Sequence, residues 1–287
     1  MIPGYPETAE VTLDMKQELG PLLKKYNEGI SEYTFAGLYL FRETHHYRIG
    51  RLSEECVVLT GNDRGKAFFM LPTELPPREI LDTLFASHSE LKGITESKSQ
   101  VLAQMDYRIA EDRDNFDYLY LRQDLAKLPG KKFHKKRTFV SGFMKTYAHE
   151  SKPLLRDTIP VAQAVLEEWH TIQGEDGDLA ATKEALLHFE ELGLCGAVYW
   201  VSGKPAAFVI GEPLLENNSY VIHFEKALTS FRGIYQYINK AFASVIPKKY
   251  VYINREQDLG DEGLRQAKLT YRPCDFVKKY RASLPRN

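Results

Sequence analysis

Cysteine is scarce: Cys56, Cys195 and Cys274 are scattered, odd in number and form no Cys-x-x-Cys pair. That argues against a disulfide framework and against a thiolate zinc site, and it suits a reducing compartment. Long apolar runs are missing as well. None approaches the roughly 20 residues that a membrane-spanning helix needs. The opening stretch MIPGYPETAEVTLDMKQELG carries neither a basic n-region nor an apolar h-region, so no secretory leader is expected and a cytoplasmic setting is. No excess of charge of one sign exists: 38 Lys and Arg face 39 Asp and Glu, a formal net charge of −1. Attraction to nucleic acid or anionic lipid must therefore come from local patches. His45 and His46 have no third ligand spaced for zinc, and the cysteines have no partner histidine motif, so neither a metal nor a cysteine nucleophile is expected. GNDRGK (Gly61–Lys66) lacks the Gly-x-x-x-x-Gly-Lys-Ser/Thr order of a phosphate-binding loop and reads as a hairpin.

What is present is an ordinary globular composition on a chain long enough for two domains. The 287 residues are 43% hydrophobic and 27% charged, with 17 Tyr and 15 Phe suited to sheet packing. The first half reads as a helix (LDMKQELGPLLKKYN), strands FAGLYLF (Phe35–Phe41), YRIGRLSEECVVLTG and KAFFMLP, then a helix opened by Pro76-Pro77. A strand around LKGITES, a helix KSQVLAQMD and strands within YRIAEDRDNFDYLYLR follow. The second half reads as a helix over Leu128–Tyr147, two further helices, and a three-stranded meander, CGAVYWVSGKPAAFVIGEPLLENNSYVIHFEKAL. Its turns are marked by Ser202-Gly203-Lys204-Pro205 and Glu216-Asn217-Asn218-Ser219. Helix SFRGIYQYINKAFASVI, strand YVYIN, helix DEGLRQAKLTY and strand CDFVKKY close the chain. Both halves order their elements as strands, helix, strand, helix, strand, which places a domain boundary between Lys127 and Leu128.

This order resembles the GNAT acyltransferase fold, in which a meander leads into a helix whose N-terminus faces the cofactor. More closely, DYLYLRQDLAKLPGKKFHKKRTFVSGF, IHFEKAL with FRGIYQYINKAF, and YINREQDLGDEGLRQAKLTYRP resemble the C-terminal catalytic domain of lysylphosphatidylglycerol synthases, the DUF2156 type. The resemblance implies an α/β (α+β) protein of two tandem GNAT-like domains, each a mixed, mostly antiparallel sheet flanked by helices. It also implies aminoacyl transfer from an aminoacyl-tRNA to an amine or hydroxyl acceptor, whether small molecule, peptide or lipid headgroup. No tightly bound cofactor is implied. An acyl-CoA-dependent N-acetyltransferase and a non-catalytic ligand sensor are the alternatives.

The residues point to one cleft. In HFEKA, strand alternation puts His223 and Glu225 on one face and Phe224 and Lys226 on the other. Glu225 is the candidate base for an attacking amine or hydroxyl, with an edge-strand ion pair as the plain alternative. The helix that follows carries an apolar stripe of Ile234, Tyr235, Ile238, Ala241, Phe242 and Val245. Ser230, Arg232 and Gly233 at its start suit an anion held by free backbone amides, although a capped helix alone gives the same pattern. GNAT enzymes place Gln/Arg-x-x-Gly-x-Gly/Ala there around the pyrophosphate of coenzyme A; this chain keeps Gly233 but has Tyr235 at the last position, where it would crowd that group. Strand YVYIN runs into Asn254, Arg255, Glu256, Gln257 and Asp258. If it splays from YVIHFEK, this polar run faces Glu225. Asp258 or Asp261 can cap the next helix, on which Arg265, Lys268 and Arg272 share one face suited to phosphate or carboxylate. Asn254 and Tyr271 are candidate donors to a developing oxyanion. The basic run Lys131, Lys132, Lys135, Lys136 and Arg137 opposes the dipole of the helix it begins and is a candidate phosphate or tRNA contact.

Overall fold

The computed structural model describes residues 1–174 and 177–285. Along the chain, β1 (Ala9–Glu10) and α1 (Lys16–Tyr26) lead into α2 (Phe35–Leu40) and α3 (Arg42–His45). Then come β2 (Arg48–Arg51), β3 (Val57–Asp63), β4 (Lys66–Met70), α4 (Arg78–Ser87), β5 (Glu90–Ile94), α5 (Glu96–Gln104) and β6 (Arg108–Glu111). A second series opens with β7 (Asp117–Leu121), α6 (Arg122–Lys127), α7 (His134–Thr146), β8 (His149–Pro153), α8 (Ile159–Gln173), α9 (Leu179–Leu187) and α10 (Phe189–Leu192). It continues with β9 (Cys195–Val201), β10 (Lys204–Leu215), β11 (Ser219–Ala227), α11 (Ile234–Val245), β12 (Tyr252–Asn254), α12 (Glu262–Leu269) and β13 (Asp275–Val277), before a last strand, β14 (Tyr280–Ser283).

Two seven-stranded mixed sheets result, ordered β1-β2-β3-β4-β5-β14-β6 and β13-β7-β12-β11-β10-β9-β8. Residue contacts divide the chain into unit 1 (Met1–Asp117, Gln257–Gly260 and the chain from Phe276 on) and unit 2 (Tyr118–Glu256 and Asp261–Asp275). The boundary expected after Lys127 therefore moves, for two reasons. Tyr120 and Leu121 pair with Ile253 and Tyr252 in unit 2. The chain's last strand pairs on both sides with strands of unit 1, as Tyr280 does with Ile94 and Glu111.

In unit 1, β2 to β4 form an antiparallel meander whose β3–β4 turn is Arg64-Gly65, both at positive φ, the hairpin read from GNDRGK. β5 then runs parallel to β4, with Phe68, Phe69 and Met70 beside Glu90, Leu91 and Lys92. Val58, Phe69, Leu71, Leu81, Leu84, Leu91 and Leu102 are buried together as its core. Phe35–Phe41, expected as a strand, is helical instead. Thr34 accepts a hydrogen bond from the Gly37 amide at 2.9 Å, and every residue from Phe35 to Leu40 is buried, so alternation has no exposed face to report.

In unit 2 the expected meander is β9, β10 and β11, followed by α11 and a parallel β12. The helix expected from Leu128 starts at His134: Leu128 and Gly130 take positive φ (50° and 69°), which ends α6 and turns the chain before α7. Of the expected α11 stripe, Ile234, Ile238 and Phe242 are buried, whereas Val245 at the last turn is exposed.

Candidate active site

β11 and β12 are parallel neighbours only over Ser219–Val221 and Tyr252–Asn254. Beyond Val221, β11 stays paired with β10 as far as Ala227 while β12 leaves. The departure has a local cause. The buried Asn254 accepts the Glu256 amide on Oδ1 at 2.8 Å, and Glu256 takes a φ of 55°, so the chain turns where a strand would continue. On the other side of β11, the pairing with β10 slips between Ile210 and Gly211; a Cβ on Gly211 would lie 2.1 Å from the Val221 carbonyl oxygen. Such a bulge adds twist to the strands. The fork expected from sequence is thus built by an asparagine turn on one strand and a glycine bulge beside the other.

Arg255 and Glu225 meet in the fork, Nη2 to Oε2 at 2.6 Å. Burial works against the guanidinium's charge, but Glu225 overrides it and raises the Arg255 pKa. The guanidinium carbon lies 5.2 Å from the Tyr271 ring and 5.9 Å from the Tyr120 ring. Lys136 Nζ stands 3.8 Å from the Tyr271 ring, and its pKa is pushed down to about 8 by burial and by the Arg255 charge. Burial raises both tyrosines, so both remain protonated donors at neutral pH. The Tyr235 hydroxyl accepts the Ala227 amide at 3.3 Å, between the end of β11 and the first turn of α11.

A second set of charges fixes this arrangement. His223 lies between two carboxylates, with Nε2 3.0 Å from Glu212 and Nδ1 2.7 Å from Glu256. Burial favours the neutral ring, but the two hydrogen-bonded carboxylates prevail and raise its pKa to about 10. The imidazolium ties the residue after Arg255 to the meander. Lys268 donates to the Arg255 and Glu256 carbonyls, the latter at 3.1 Å, holding the same turn from α12. On the opposite face of β11, Lys226 pairs with Asp178 at 2.5 Å and lies 4.1 Å from the Trp169 ring.

Glu225, Tyr235, Arg255, Tyr271 and Lys136 are therefore brought together, and the remaining candidates lie apart or are engaged otherwise. Gly233 has φ 92°, and a Cβ there would sit 2.8 Å from the Phe139 carbonyl oxygen of α7. The close approach that needs glycine is thus made by a helix. No Ser230 cap forms, and Arg232 is exposed, 5.7 Å from the Phe139 ring. The basic run does not form one patch. Lys131 and Lys135 are exposed, Lys132 pairs with Asp124 at 2.7 Å, and Arg137 donates to the Leu128 and Gly130 carbonyls, the latter at 2.6 Å. Lys268 is turned inward, which dissolves the shared face expected with Arg265 and Arg272. Asp261 caps α12 through the Leu264 amide at 2.6 Å, whereas Asp258 pairs with Arg113 at 3.3 Å within unit 1. Sequence reasoning missed Tyr120, Glu212 and the clasp on His223. Alternation in DYLYL puts Tyr118 and Tyr120 on one face, but nothing local says which face meets the fork. Among the described residues, no group of His, Cys, Asp or Glu is arranged to hold a metal ion.

The fold is that of two GNAT-like halves in tandem. A tandem GNAT protein from the clavulanic acid biosynthesis pathway superposes with a TM-score of 0.52 at 9% identity, covering 98% of each chain. The sequence profile of the family described as phosphatidylglycerol lysyltransferase, C-terminal, matches residues 23–283, and the chain belongs to that family. A conserved protein of unknown function from Bacteroides thetaiotaomicron is 32% identical, with a TM-score of 0.88 over 99% of this chain and all of that one. L-PGS from Bacillus licheniformis has the same fold, with a TM-score of 0.64 and 14% identity over all of this chain and 95% of that one. An uncharacterized protein of Mycoplasmoides gallisepticum is 25% identical over 212 residues, 70% of this chain; the match spans 66% of that relative's length.

Proposed function

We infer that the protein moves an aminoacyl group from an aminoacyl-tRNA to a hydroxyl or amine acceptor, with the fork of unit 2 as the reaction site. The observation that carries this reading is Tyr235. Its ring stands in the first turn of α11, where the GNAT pattern leaves room for the coenzyme A pyrophosphate, and its hydroxyl engages the Ala227 amide at the end of β11. A filled anion seat disfavours acyl-CoA and leaves the fork for a donor that anchors elsewhere. Membership of a lysyltransferase family supports an aminoacyl donor, and a phosphatidylglycerol headgroup is the first acceptor to test. Among the described residues, no helix is long and apolar enough to cross a membrane.

In the reaction, the acceptor oxygen or nitrogen attacks the ester carbonyl carbon. The new C–O or C–N bond forms as the ester bond to the terminal ribose breaks. Glu225 takes the acceptor's proton and passes it to the departing ribose oxygen. Arg255 binds Glu225 through Oε2; it fixes the carboxylate's position, leaving Oε1 to face the acceptor. Tyr271 and Lys136, both beside Arg255, supply hydrogen-bond donation and positive charge where the tetrahedral oxyanion develops.

The test is incubation of purified protein with lysyl- or alanyl-tRNA labelled in the amino acid and with phosphatidylglycerol vesicles, glycerol or small amines, followed by mass spectrometry. A labelled acceptor is expected, and Glu225→Gln should lower its formation about 10²–10⁴-fold with folding intact. Micromolar binding of acetyl-CoA, or undiminished transfer by Glu225→Gln, would overturn the reading.

A further inference from the structure

Unit 1 has charges of its own that the transfer reaction does not use. They surround a cavity of about 110 Å³ lined wholly by residues of unit 1. Its deep end is Lys279, buried and paired with Glu32 and with the fully buried Asp117 at 2.6 Å from the latter. Asp117 is further held by the Ser31 amide and hydroxyl, each at 2.9 Å. Toward solvent the lining changes to a second group, in which Asp63 receives His45 Nδ1 and Lys92 Nζ, both at 2.6 Å. A third group completes the wall, with Arg281 Nε 2.7 Å from Asp112 and Asn115 Nδ2 donating to that carboxylate at 3.0 Å. The His45, Asp63 and Arg281 side chains are each about a third exposed, whereas Lys279 is 1% exposed, so the cavity has a mouth and a floor.

Stability does not explain this lining. Desolvating several ion pairs costs about as much as their attraction returns, and apolar side chains of similar volume would serve a core at least as well. The volume fits a function. At about 10–15 Å³ of such space per water-sized group, the cavity has room for on the order of seven to eleven groups, the size of a small amino acid. The charges fit the same ligand. Both signs occur along the walls, each already paired, so an incoming single charge would compete for one partner and strand the other. A ligand carrying both an ammonium and a carboxylate replaces one intramolecular pair without leaving either member uncompensated. The Phe68 ring, whose face now meets Lys92 Nζ at 4.0 Å, offers an apolar wall and a seat for an ammonium group.

We propose that the unit 1 cavity is a binding site for a small zwitterion of amino-acid size, recognised through a free ammonium and a free carboxylate together. Lys92 and Arg281 engage the carboxylate, and Asp63 with the Phe68 face engages the ammonium. This site is separate from the fork of unit 2 and does not rest on the transfer reading. The requirement for a free carboxylate also sets it apart from recognition of an esterified aminoacyl group.

Isothermal titration of the full-length protein with glycine, L-alanine, L-lysine, L-glutamate and glycine betaine tests it, beside alaninamide (cation only) and N-acetylalanine (anion only). At least one amino acid should bind, and alaninamide and N-acetylalanine should each bind about tenfold or more weaker than alanine or not at all; one lost charge contact of about 1.4 kcal/mol gives that factor. Lys92→Gln should weaken binding about tenfold or more, and Arg281→Gln is the second variant should Lys92→Gln fold poorly. Lys204→Gln, at the exposed start of β10 in unit 2, should change nothing. The proposal is overturned if no zwitterion binds at about 10 mM, if alaninamide binds as well as alanine, or if the folded variants bind unchanged.

Discussion

The two units share a meander, a helix and a parallel strand, yet only one of them opens. In unit 1 the parallel pair holds to the last residue of β4, where Met70 stands beside Lys92. In unit 2 the pair ends at Val221 and Asn254 while β11 continues to Ala227. The difference lies in few residues: Asn254 turns its strand away, and Gly211 permits the bulge that twists the neighbouring pair. Closed, the pattern gathers its charges around a small cavity; open, it sets one ion pair in a fork ringed by tyrosines. A shared element order therefore fixes the frame and leaves the location of polar chemistry to the strand ends.

The sharpest way to break this comparison is to remove the buried cation of the closed unit. Lys279→Met leaves Asp117 buried without its partner, and a loss of about 3–5 kcal/mol is expected in denaturant unfolding. A loss below 1 kcal/mol would show that the closed unit does not depend on its charge pairs. Next in size is the clasp of the open unit. His223→Gln should cost about 1–3 kcal/mol by leaving two carboxylates without a cation. Its pH dependence carries a definite sign. His223 binds its proton more tightly folded (about 10) than unfolded (6.5), so its contribution is complete below pH 6.5 and is lost as pH rises toward 10. Lys136 acts oppositely. With its pKa lowered from 10.5 to about 8, it makes the native state gain stability with rising pH over that interval. Thermal scans across pH 6.5–10 should therefore show stability falling less, or rising, in His223→Gln relative to the parent.

Gly233→Ala sharpens the comparison at the helix that follows the fork. The left-handed backbone and the Phe139 carbonyl at 2.8 Å predict a loss of about 1–3 kcal/mol with no ligand present. Unchanged stability would return Gly233 to the anion role read from sequence. The smallest effect is expected from Asp261→Ala, which removes the α12 cap and should cost about 1 kcal/mol by thermal unfolding.

Much of this organisation is written locally. The meander, its turns and α11 follow from alternation and helical spacing, and Glu225 stood out because alternation placed it beside His223 at a strand end. The five polar residues Asn254–Asp258 that end strand YVYIN were also visible, as a run that local capping could not fully explain. Their uses were not visible, because they diverge. Arg255 pairs with Glu225, Glu256 meets His223, Gln257 lines the unit 1 cavity, and Asp258 meets Arg113. Partners distant in sequence leave no local periodicity. Lys136 shows the same limit: within KKFHKKR it looks like its neighbours, and only packing against Tyr271 and Arg255 lowers its pKa. The helix at Phe35–Leu40 escaped for another reason, since a short segment buried all round has no pattern to read.

The placement of β14 bears on how the protein is made. This strand lies between β5 and β6, so the first sheet stays split until residues from the far end of the chain arrive. On the ribosome, the exposed edges of Glu90–Ile94 and Arg108–Glu111 must wait while the intervening residues are synthesised. During that interval they are the segments most open to chaperone capture or mispairing.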